Sequence, residues 1–119
     1  GIIVKDSNIL ILGITFKENC PDIRNTKIID IYHTLKEYTS NITIYDPWAN
    51  MTSVKHEYGI NIQQNNLEAL KGTFDAVILG VAHNQFMGIN LRDFLKERNN
   101  GVVYDVKGVI DRNQIDGRL

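Results

Sequence analysis

The sequence predicts a single α/β domain: a three-layer sandwich with a Rossmann-like parallel sheet of about five strands and helices on both faces. Short apolar runs, typical of buried strands, alternate with amphipathic segments of helical period. The chain has 119 residues, enough for one domain, and 43% of them are hydrophobic, as in folded cores. Because no repeat or linker divides the chain, residues 1–119 are assigned to one domain.

The first strand and helix are predicted from a change of hydrophobic period. Residues 8–13 form a short apolar run that ends at a glycine, which is typical of a central strand. Residues 26–38 place their apolar side chains on one helical stripe. Asn25 or Thr26 could cap this helix, and Pro21 lies just upstream.

A second strand and helix are predicted to follow. Residues 41–45 form a strand that ends at the turn dipeptide Asp46-Pro47. Residues 52–58 suit a short helix stopped by Gly59, and residues 60–62 suit a brief strand near an edge of the sheet. The pattern again indicates a strand–helix–strand unit.

The second half of the chain repeats this alternation. Residues 67–71 suit one or two helical turns, and residues 74–81 form the strongest strand after the first. Residues 91–98 carry apolar side chains on one side and predict a short amphipathic helix. Residues 101–106 are the last clear strand, and the polar tail 111–119 is expected to fray.

Composition excludes several classes of function. The 13 basic and 14 acidic residues nearly balance, so neither nucleic acid nor an acidic membrane surface is predicted as a partner. The single Cys20 forms no internal disulfide and supports no cysteine metal cluster, which favours a reducing cytoplasm. No apolar run reaches the roughly 20 residues of a membrane span. The chain has no initiator Met and is interpreted as a domain of a longer protein.

Three cations are predicted to converge at one edge of the sheet. Lys17 and Arg24 follow the first strand, and Lys107 ends the last one. Carboxyl ends of parallel strands share an edge, where α/β sheets bind ligands. Solvated surface cations are the alternative, but three cations from separate segments would suit one polyanionic ligand.

Other polar residues near this edge have plainer interpretations. Asp22 could hold the Arg24 guanidinium or serve in the loop as a cap. Asp46 is interpreted as a turn residue, and Cys20 as incidental. His83 follows the 74–81 strand at the same edge, yet it is ranked below Lys17 as a functional residue.

The first loop lacks the G-x-G-x-x-G pattern of dinucleotide-binding folds. Only Gly13 is present, and it is followed by the bulky residues Ile14, Thr15 and Phe16. Backbone therefore cannot approach a pyrophosphate closely there, and side chains must provide any recognition.

These residues resemble the carboxyl-terminal domain of the nucleotide-sugar 6-dehydrogenases. The resemblance covers nearly all of residues 8–119 and depends on five short runs: Gly13-Ile-Thr-Phe-Lys17, Pro21-Asp-Ile-Arg24, Tyr45-Asp-Pro47, Asp75-Ala-Val-Ile-Leu79 and Asp105-Val-Lys-Gly108. The Lys17–Lys27 run and Asp46-Pro-Trp-Ala49 are most similar to the N-acetylhexosamine branch of capsule and O-antigen synthesis. UDP-glucose enzymes usually carry Ser-Pro in place of Thr26-Lys27.

The resemblance implies a three-part enzyme that oxidises the C6 alcohol of a UDP-N-acetylhexosamine to a carboxylate, for surface polysaccharide synthesis. An amino-terminal domain would bind NAD, and a central helical region would carry the catalytic cysteine and form a homodimer. Both parts are absent from these 119 residues, so the fragment alone is expected to be inactive, and it holds no catalytic or metal-binding residue. The chain would supply the UDP-sugar-binding domain.

By position in these motifs, the resemblance also implies residue roles. Phe16, Lys17 and Lys107 match positions that bind the UDP-sugar, with arginine replacing Lys107 in many relatives. Arg24 matches an arginine that reaches the NAD cofactor. A freestanding nucleotide-binding regulatory module would share this architecture and stays as the alternative. A phosphoacceptor receiver domain is set aside because residues 13–17 contain no acid.

Overall fold

The computed structural model describes residues 6–106 and the backbone of Gly117–Arg118. Its core is a parallel sheet formed by β1 (Ile9–Leu12), β2 (Ile42–Tyr45), β3 (Ala76–Leu79) and β4 (Val102–Asp105). The spatial order is β2-β1-β3-β4, and a two-residue strand, β5 (Gly117–Arg118), pairs in parallel with β4. The predicted parallel α/β sheet is thus confirmed.

The two central strands, β1 and β3, contain no polar residue. Every residue of β1 and β3 is buried, because each strand has neighbours on both sides and is covered on both faces. Leu12 lies beside Tyr45 on one side and Leu79 on the other. The carboxyl ends of β1, β2 and β3 therefore meet at one edge of the sheet.

Two α-helices cover one face of this sheet. They are α1 (Ile28–Lys36) and α2 (Met51–Tyr58). Their buried residues pack on the odd-numbered residues of β1 and the even-numbered residues of β3; this cluster includes Ile9, Ile11, Ile28, Ile29, Leu35, Val54, Ala76 and Ile78. Alternation of side chains along each strand sends the remaining strand residues to the opposite face.

The opposite face is covered by short 3-10 helices. These are η1 (Leu67–Leu70), η2 (Asn84–Phe86) and η3 (Leu91–Phe94). Phe86, Leu91 and Phe94 pack there against Leu10, Leu12, Val77, Leu79 and Val103. The two faces therefore differ in the kind of helix that covers them.

The helix boundaries follow from local hydrogen bonds. Helix α1 begins at Ile28, two residues later than predicted, and its N-cap Lys27 provides no side-chain cap. The Thr26 hydroxyl instead accepts from the Ile28 amide at 3.2 Å. Helix α2 is capped by the Asn50 side chain and is followed by Gly59, whose positive φ of 71° confirms the predicted stop.

Three predictions differ from the structure. Residues 60–62 form no strand, although Ile60 and Ile62 are buried, since β2 pairs with this segment only at the Tyr45–Gln63 bridge. The helix predicted for residues 91–98 is a 3-10 helix that ends at Phe94, because Leu95 becomes extended and bridges to Phe74. Most of the tail 111–119, which is predicted to fray, lies outside the described residues, but its described part, Gly117–Arg118, pairs with β4.

Gly13 is required where β1 leaves the sheet. Its φ is +95°, and an added Cβ would lie 2.6 Å from Val81 Cβ and 2.8 Å from Val81 N. We expect Gly13→Ala to lower the free energy of unfolding by about 2 to 4 kcal/mol, through overpacking and left-handed backbone strain. Denaturant unfolding of the chain measures the change.

The matched control for this prediction is Gly72→Ala. Gly72 has a similarly positive φ of +73°, but nothing lies within 4 Å of its added Cβ. Only the backbone strain remains, so the loss should be about 1 to 2 kcal/mol. Equal losses for the two variants would contradict the close Gly13–Val81 contact as the cause.

Candidate functional site

The candidate site lies at the carboxyl edge of β1, β2 and β3. Chain order and spatial order differ at this edge, because β1 is followed by β2 on one side while β3 lies on its other side. Such a reversal is where open α/β sheets usually bind ligands. The loops that leave these strands therefore determine what the edge can recognise.

Asp46, the first residue after β2, is fully buried at this edge. Its Oδ2 accepts from the amides of Ile14 at 2.7 Å and Thr15 at 3.2 Å. Its Oδ1 accepts from the amides of Trp48 at 2.7 Å and Ala49 at 3.0 Å. One carboxylate thus joins its own turn to the loop that follows β1.

A buried histidine contacts the same carboxylate. His83 Nε2 lies 3.0 Å from Asp46 Oδ2, and both side chains are completely buried. Burial by itself raises the pKa of Asp46, but the hydrogen bonds from His83 and the Ile14 amide outweigh it and hold the pKa below its ordinary value of 3.8. The carboxylate is therefore ionised at neutral pH.

The partners of His83 determine its tautomer. His83 Nδ1 accepts a hydrogen bond from the Asn19 amide at 2.9 Å, so that nitrogen carries no proton. The proton is on Nε2, which faces Asp46 Oδ2 and, at 3.2 Å, the Thr15 hydroxyl. The imidazole is thus neutral and connects three loops at the edge of the sheet.

The loop after β1 is closed by its own hydrogen bonds. The Phe16 amide donates to the Asp22 carbonyl at 2.6 Å, and the Thr15 hydroxyl donates to the Lys17 carbonyl at 2.9 Å. Asn19, at a positive φ of 54°, accepts from the Asn84 amide through its side chain at 2.9 Å. Phe16 and Lys17 remain exposed at the tip of this closed loop.

Arg24 lies further along the same connection and pairs with Asp22. The guanidinium donates from Nε to Asp22 Oδ1 at 3.0 Å and from Nη2 to Asp22 Oδ2 at 3.1 Å. These bonds from Arg24 lower the pKa of Asp22 to about 2. The Arg24 side chain is 84% exposed, so a forked pair on the surface fixes its direction.

Trp48 forms the adjoining part of the edge, on the loop after β2. Its ring centroid lies 6.2 Å from that of His83, and its Nε1 donates to Gln85 Oε1 at 3.0 Å. Trp48 and Met87 are each more than a third exposed. The edge therefore presents apolar surface beside the buried Asp46–His83 pair.

The match to known proteins identifies the kind of domain that carries this edge. Residues 10–112 match the family model for the UDP-glucose/GDP-mannose dehydrogenase family, UDP binding domain. The chain belongs to this family. The predicted resemblance to nucleotide-sugar dehydrogenases is confirmed.

Two relatives illustrate the similarity. A UDP-N-acetyl-D-glucosamine 6-dehydrogenase of Salmonella typhi is 46% identical over 122 residues, which cover 100% of this chain and 28% of that protein. A second, from Pseudomonas aeruginosa, is 40% identical over 119 residues, covering 98% of this chain and 27% of that protein. The chain thus spans about a quarter of the length of these relatives.

A solved structure shows the same fold at lower identity. The structure of a UDP-glucose dehydrogenase from Pyrobaculum islandicum superposes with a TM-score of 0.73 at 20% sequence identity. The match covers 97% of this chain and 25% of that one. The UDP-binding domain of this family is therefore the α/β fold described above.

Of the four predicted site residues, Phe16, Lys17 and Arg24 lie within the described residues and Lys107 does not. Phe16 and Lys17 lie together at the tip of the β1 loop, and Arg24 lies on the same connection. Lys107 lies outside the described residues, so its predicted convergence with Lys17 stays a prediction. Asp22 holds the Arg24 guanidinium, and it also serves in the loop, because its Oδ1 accepts from the Arg24 amide at 2.9 Å.

Sequence reasoning missed the role of Asp46 and underestimated His83. The turn interpretation of Asp46 accounts for its bonds to Trp48 and Ala49, but not for those to Ile14, Thr15 and His83. Both residues follow buried strands that end at one edge of a parallel sheet. That position alone would have indicated that they meet.

The described part of the chain offers neither a metal centre nor a membrane-spanning helix. Residues 6–106 contain no group of three or more acidic, histidine or cysteine side chains arranged to hold a metal ion. The same residues include no helix with the length and apolar character that crossing a membrane requires.

Proposed function

We propose that this chain is the carboxyl-terminal UDP-sugar-binding domain of an NAD-dependent nucleotide-sugar 6-dehydrogenase. Its substrate would be a UDP-N-acetylhexosamine, oxidised at C6 to the carboxylate for surface polysaccharide synthesis. The match to the family's UDP binding domain and the identities of 46% and 40% to UDP-N-acetyl-D-glucosamine 6-dehydrogenases support this. In the complete domain, a three-layer sandwich of about five strands would carry the site.

The single observation that carries the proposal is the construction of the β1 loop. It exposes Phe16 and Lys17 at the edge where such sheets bind ligands, while its base is held by hydrogen bonds to Asp46 and His83. Within the described residues the Lys17 ammonium forms no ion pair or hydrogen bond, and the Asp22 carboxylate attracts it only at longer range, so it is available to an anion. A diphosphate is a suitable partner, since charge-assisted bonds are roughly twice as strong as neutral ones.

Lys107 is proposed as a second cation for the same substrate, and Phe16 as an apolar contact beside it. Arg24 is proposed to reach the NAD. Its forked pair with Asp22 keeps the guanidinium extended into solvent, where further N–H groups can meet a phosphate. Binding of the cofactor would otherwise depend on the amino-terminal domain.

The described loop does not fit the pyrophosphate of a dinucleotide through backbone contacts. Gly13 is in contact with Val81, and Ile14 and Thr15 donate their amides to Asp46 rather than to a ligand. The glycines that permit close approach in dinucleotide-binding folds are absent. This chain's own contribution is therefore to bind and orient the sugar nucleotide and to exclude water when the domain closes over it.

The reaction would use two molecules of NAD for each substrate, because alcohol-to-carboxylate oxidation removes four electrons. The nucleophilic cysteine is proposed to lie in a central region outside this chain, which would also form the homodimer. Cys20 is a half-buried free cysteine in the β1 loop and is given no catalytic role. We place the enzyme in the cytoplasm.

An activity assay tests the proposal. The full-length enzyme carrying this domain, with UDP-N-acetylglucosamine or its galactosamine counterpart, should yield two NADH per UDP-sugar. The 119-residue chain alone should yield none. UDP binding without NADH formation from either substrate would instead favour a freestanding regulatory module and contradict the dehydrogenase assignment.

A further inference from the structure

His83 joins the loops of three strands through its two ring nitrogens. On the Nε2 side it contacts Asp46 of the β2 loop at 3.0 Å and Thr15 of the β1 loop at 3.2 Å. On the Nδ1 side it accepts from the Asn19 amide at 2.9 Å. The ring and the Asp46 carboxylate are completely buried, while Asn19 is half-buried.

The two nitrogens have different chemical requirements. The ionised Asp46 requires a donor, which keeps the single imidazole proton on Nε2. Nδ1 is thereby left as an acceptor, which is what the Asn19 amide requires. The charge of Asp46 thus fixes the tautomer of His83, and that tautomer provides the Nδ1 acceptor for the Asn19 amide.

Asn19 is two residues from Lys17, and its φ of 54° lies in the left-handed region. Asparagine tolerates this conformation better than most residues, but it still depends on surrounding contacts. Two contacts fix it: the amide bond to His83 and the bond from the Asn84 amide to its side chain. Both come from the segment that follows β3.

We infer that His83 is a positioning residue for sugar-nucleotide binding: through the Asn19 amide it holds the Phe16–Lys17 tip where the diphosphate binds. The inference rests on the proposed function of Lys17. His83 does not touch the substrate and transfers no proton. A loop already held in its binding conformation loses less conformational entropy when the substrate binds, which lowers the KM.

Two substitutions in the full-length enzyme separate the two sides of the ring. His83→Gln can place an amide donor near Asp46 but leaves the Asn19 amide without its acceptor. His83→Asn can keep an acceptor near the Nδ1 position but leaves Asp46 without its donor. We expect His83→Gln to raise the KM for UDP-N-acetylglucosamine about tenfold, the loss of one hydrogen bond's stabilisation, with kcat at saturation nearly unchanged.

The KM of His83→Asn should stay close to that of the wild type. Both His83 variants should nevertheless unfold more easily than the wild type. His33→Gln serves as the matched control, because His33 is exposed on α1, away from the carboxyl edge. It should leave both kinetic constants unchanged. Equal rises in KM for His83→Gln and His83→Asn would overturn the inference, since general destabilisation would then explain them.

A double-mutant cycle distinguishes this inference from the proposed function. If His83 acts through Lys17, then His83→Gln should add little to the KM of a Lys17→Ala enzyme. Full additivity would overturn the positioning role while leaving the function of Lys17 intact. An unchanged KM in Lys17→Ala itself would overturn the proposed function and the inference together.

Measurements on the unsubstituted enzyme complete the test should a variant fail to fold. Nitrogen NMR of His83 should show an unprotonated Nδ1 and a protonated Nε2. The Asn19 amide should exchange its hydrogen much more slowly than the exposed Lys17 amide. Exchange at Asn19 as fast as at Lys17, or a proton on Nδ1, would overturn the inference.

Discussion

Replacing Asp46 with alanine is expected to lower the free energy of unfolding by about 3 to 5 kcal/mol. The carboxylate accepts from the amides of Ile14, Thr15, Trp48 and Ala49. Its loss would leave buried amides and the His83 Nε2 proton without their acceptor. Each unsatisfied buried donor costs about 1 to 3 kcal/mol, and relaxation recovers part of the sum.

Urea unfolding of the chain measures this loss, with Glu57→Ala as the control. Glu57 is an exposed acid on α2, so its removal should change the free energy of unfolding by less than about 0.5 kcal/mol. A loss below about 1 kcal/mol for Asp46→Ala would contradict the network, because at least one amide would then have another partner.

The same carboxylate should make stability depend on pH. The pKa of Asp46 in the folded chain is below its ordinary value of 3.8, so its stabilisation is complete above that pH. The stabilisation is lost as the pH falls towards the folded-state pKa. The acid dependence of unfolding should be shallower in Asp46→Asn than in the wild type, and an identical dependence would contradict this assignment.

Lys17→Ala in the full-length enzyme is expected to raise the KM for UDP-N-acetylglucosamine by roughly 10- to 100-fold. A hydrogen bond to a charged group contributes about 1.5 to 3 kcal/mol, and each 1.4 kcal/mol corresponds to a factor of ten. The kcat should change less, because in the proposed reaction hydride transfer would take place at C6 of the sugar, away from the diphosphate. Steady-state kinetics with the UDP-sugar as the varied substrate measure both constants.

Two further variants sharpen this test. Lys17→Arg keeps the charge and should recover most of the affinity. Lys27→Ala removes another exposed cation at the start of α1, beyond the loop that presents Lys17, and should leave the KM unchanged. An unchanged KM and kcat in Lys17→Ala would refute the role of this lysine.

The sequence predicts best those elements whose hydrophobic pattern fits only one kind of structure. β1 and β3 are recognisable because burial on both faces leaves only apolar residues in them. Residues 60–62 and 91–98 were predicted wrongly because their apolar spacing suits several elements. Contacts between residues distant in sequence determine the structure of both segments. Next to residues 60–62, only the Tyr45–Gln63 bridge forms, and within residues 91–98 the Phe74–Leu95 bridge ends the helix.

The site likewise has one part that the local sequence predicts and one part that depends on contacts distant in sequence. The exposed tip with Phe16 and Lys17 follows from a polar loop after a buried strand, which is local information. The Asp46–His83 pair spans 37 residues and depends on the order of strands in the sheet. Asp46 next to Pro47 also has a sufficient local explanation as a turn, which hides its second role.

The most direct test of the central claim is a crystal structure of the full-length enzyme with UDP bound. We expect Lys17 Nζ within about 3.2 Å of a diphosphate oxygen, with the Asn19–His83 hydrogen bond retained. A diphosphate bound elsewhere, with the Lys17 ammonium in solvent, would contradict the claim that this loop presents the substrate-binding cation.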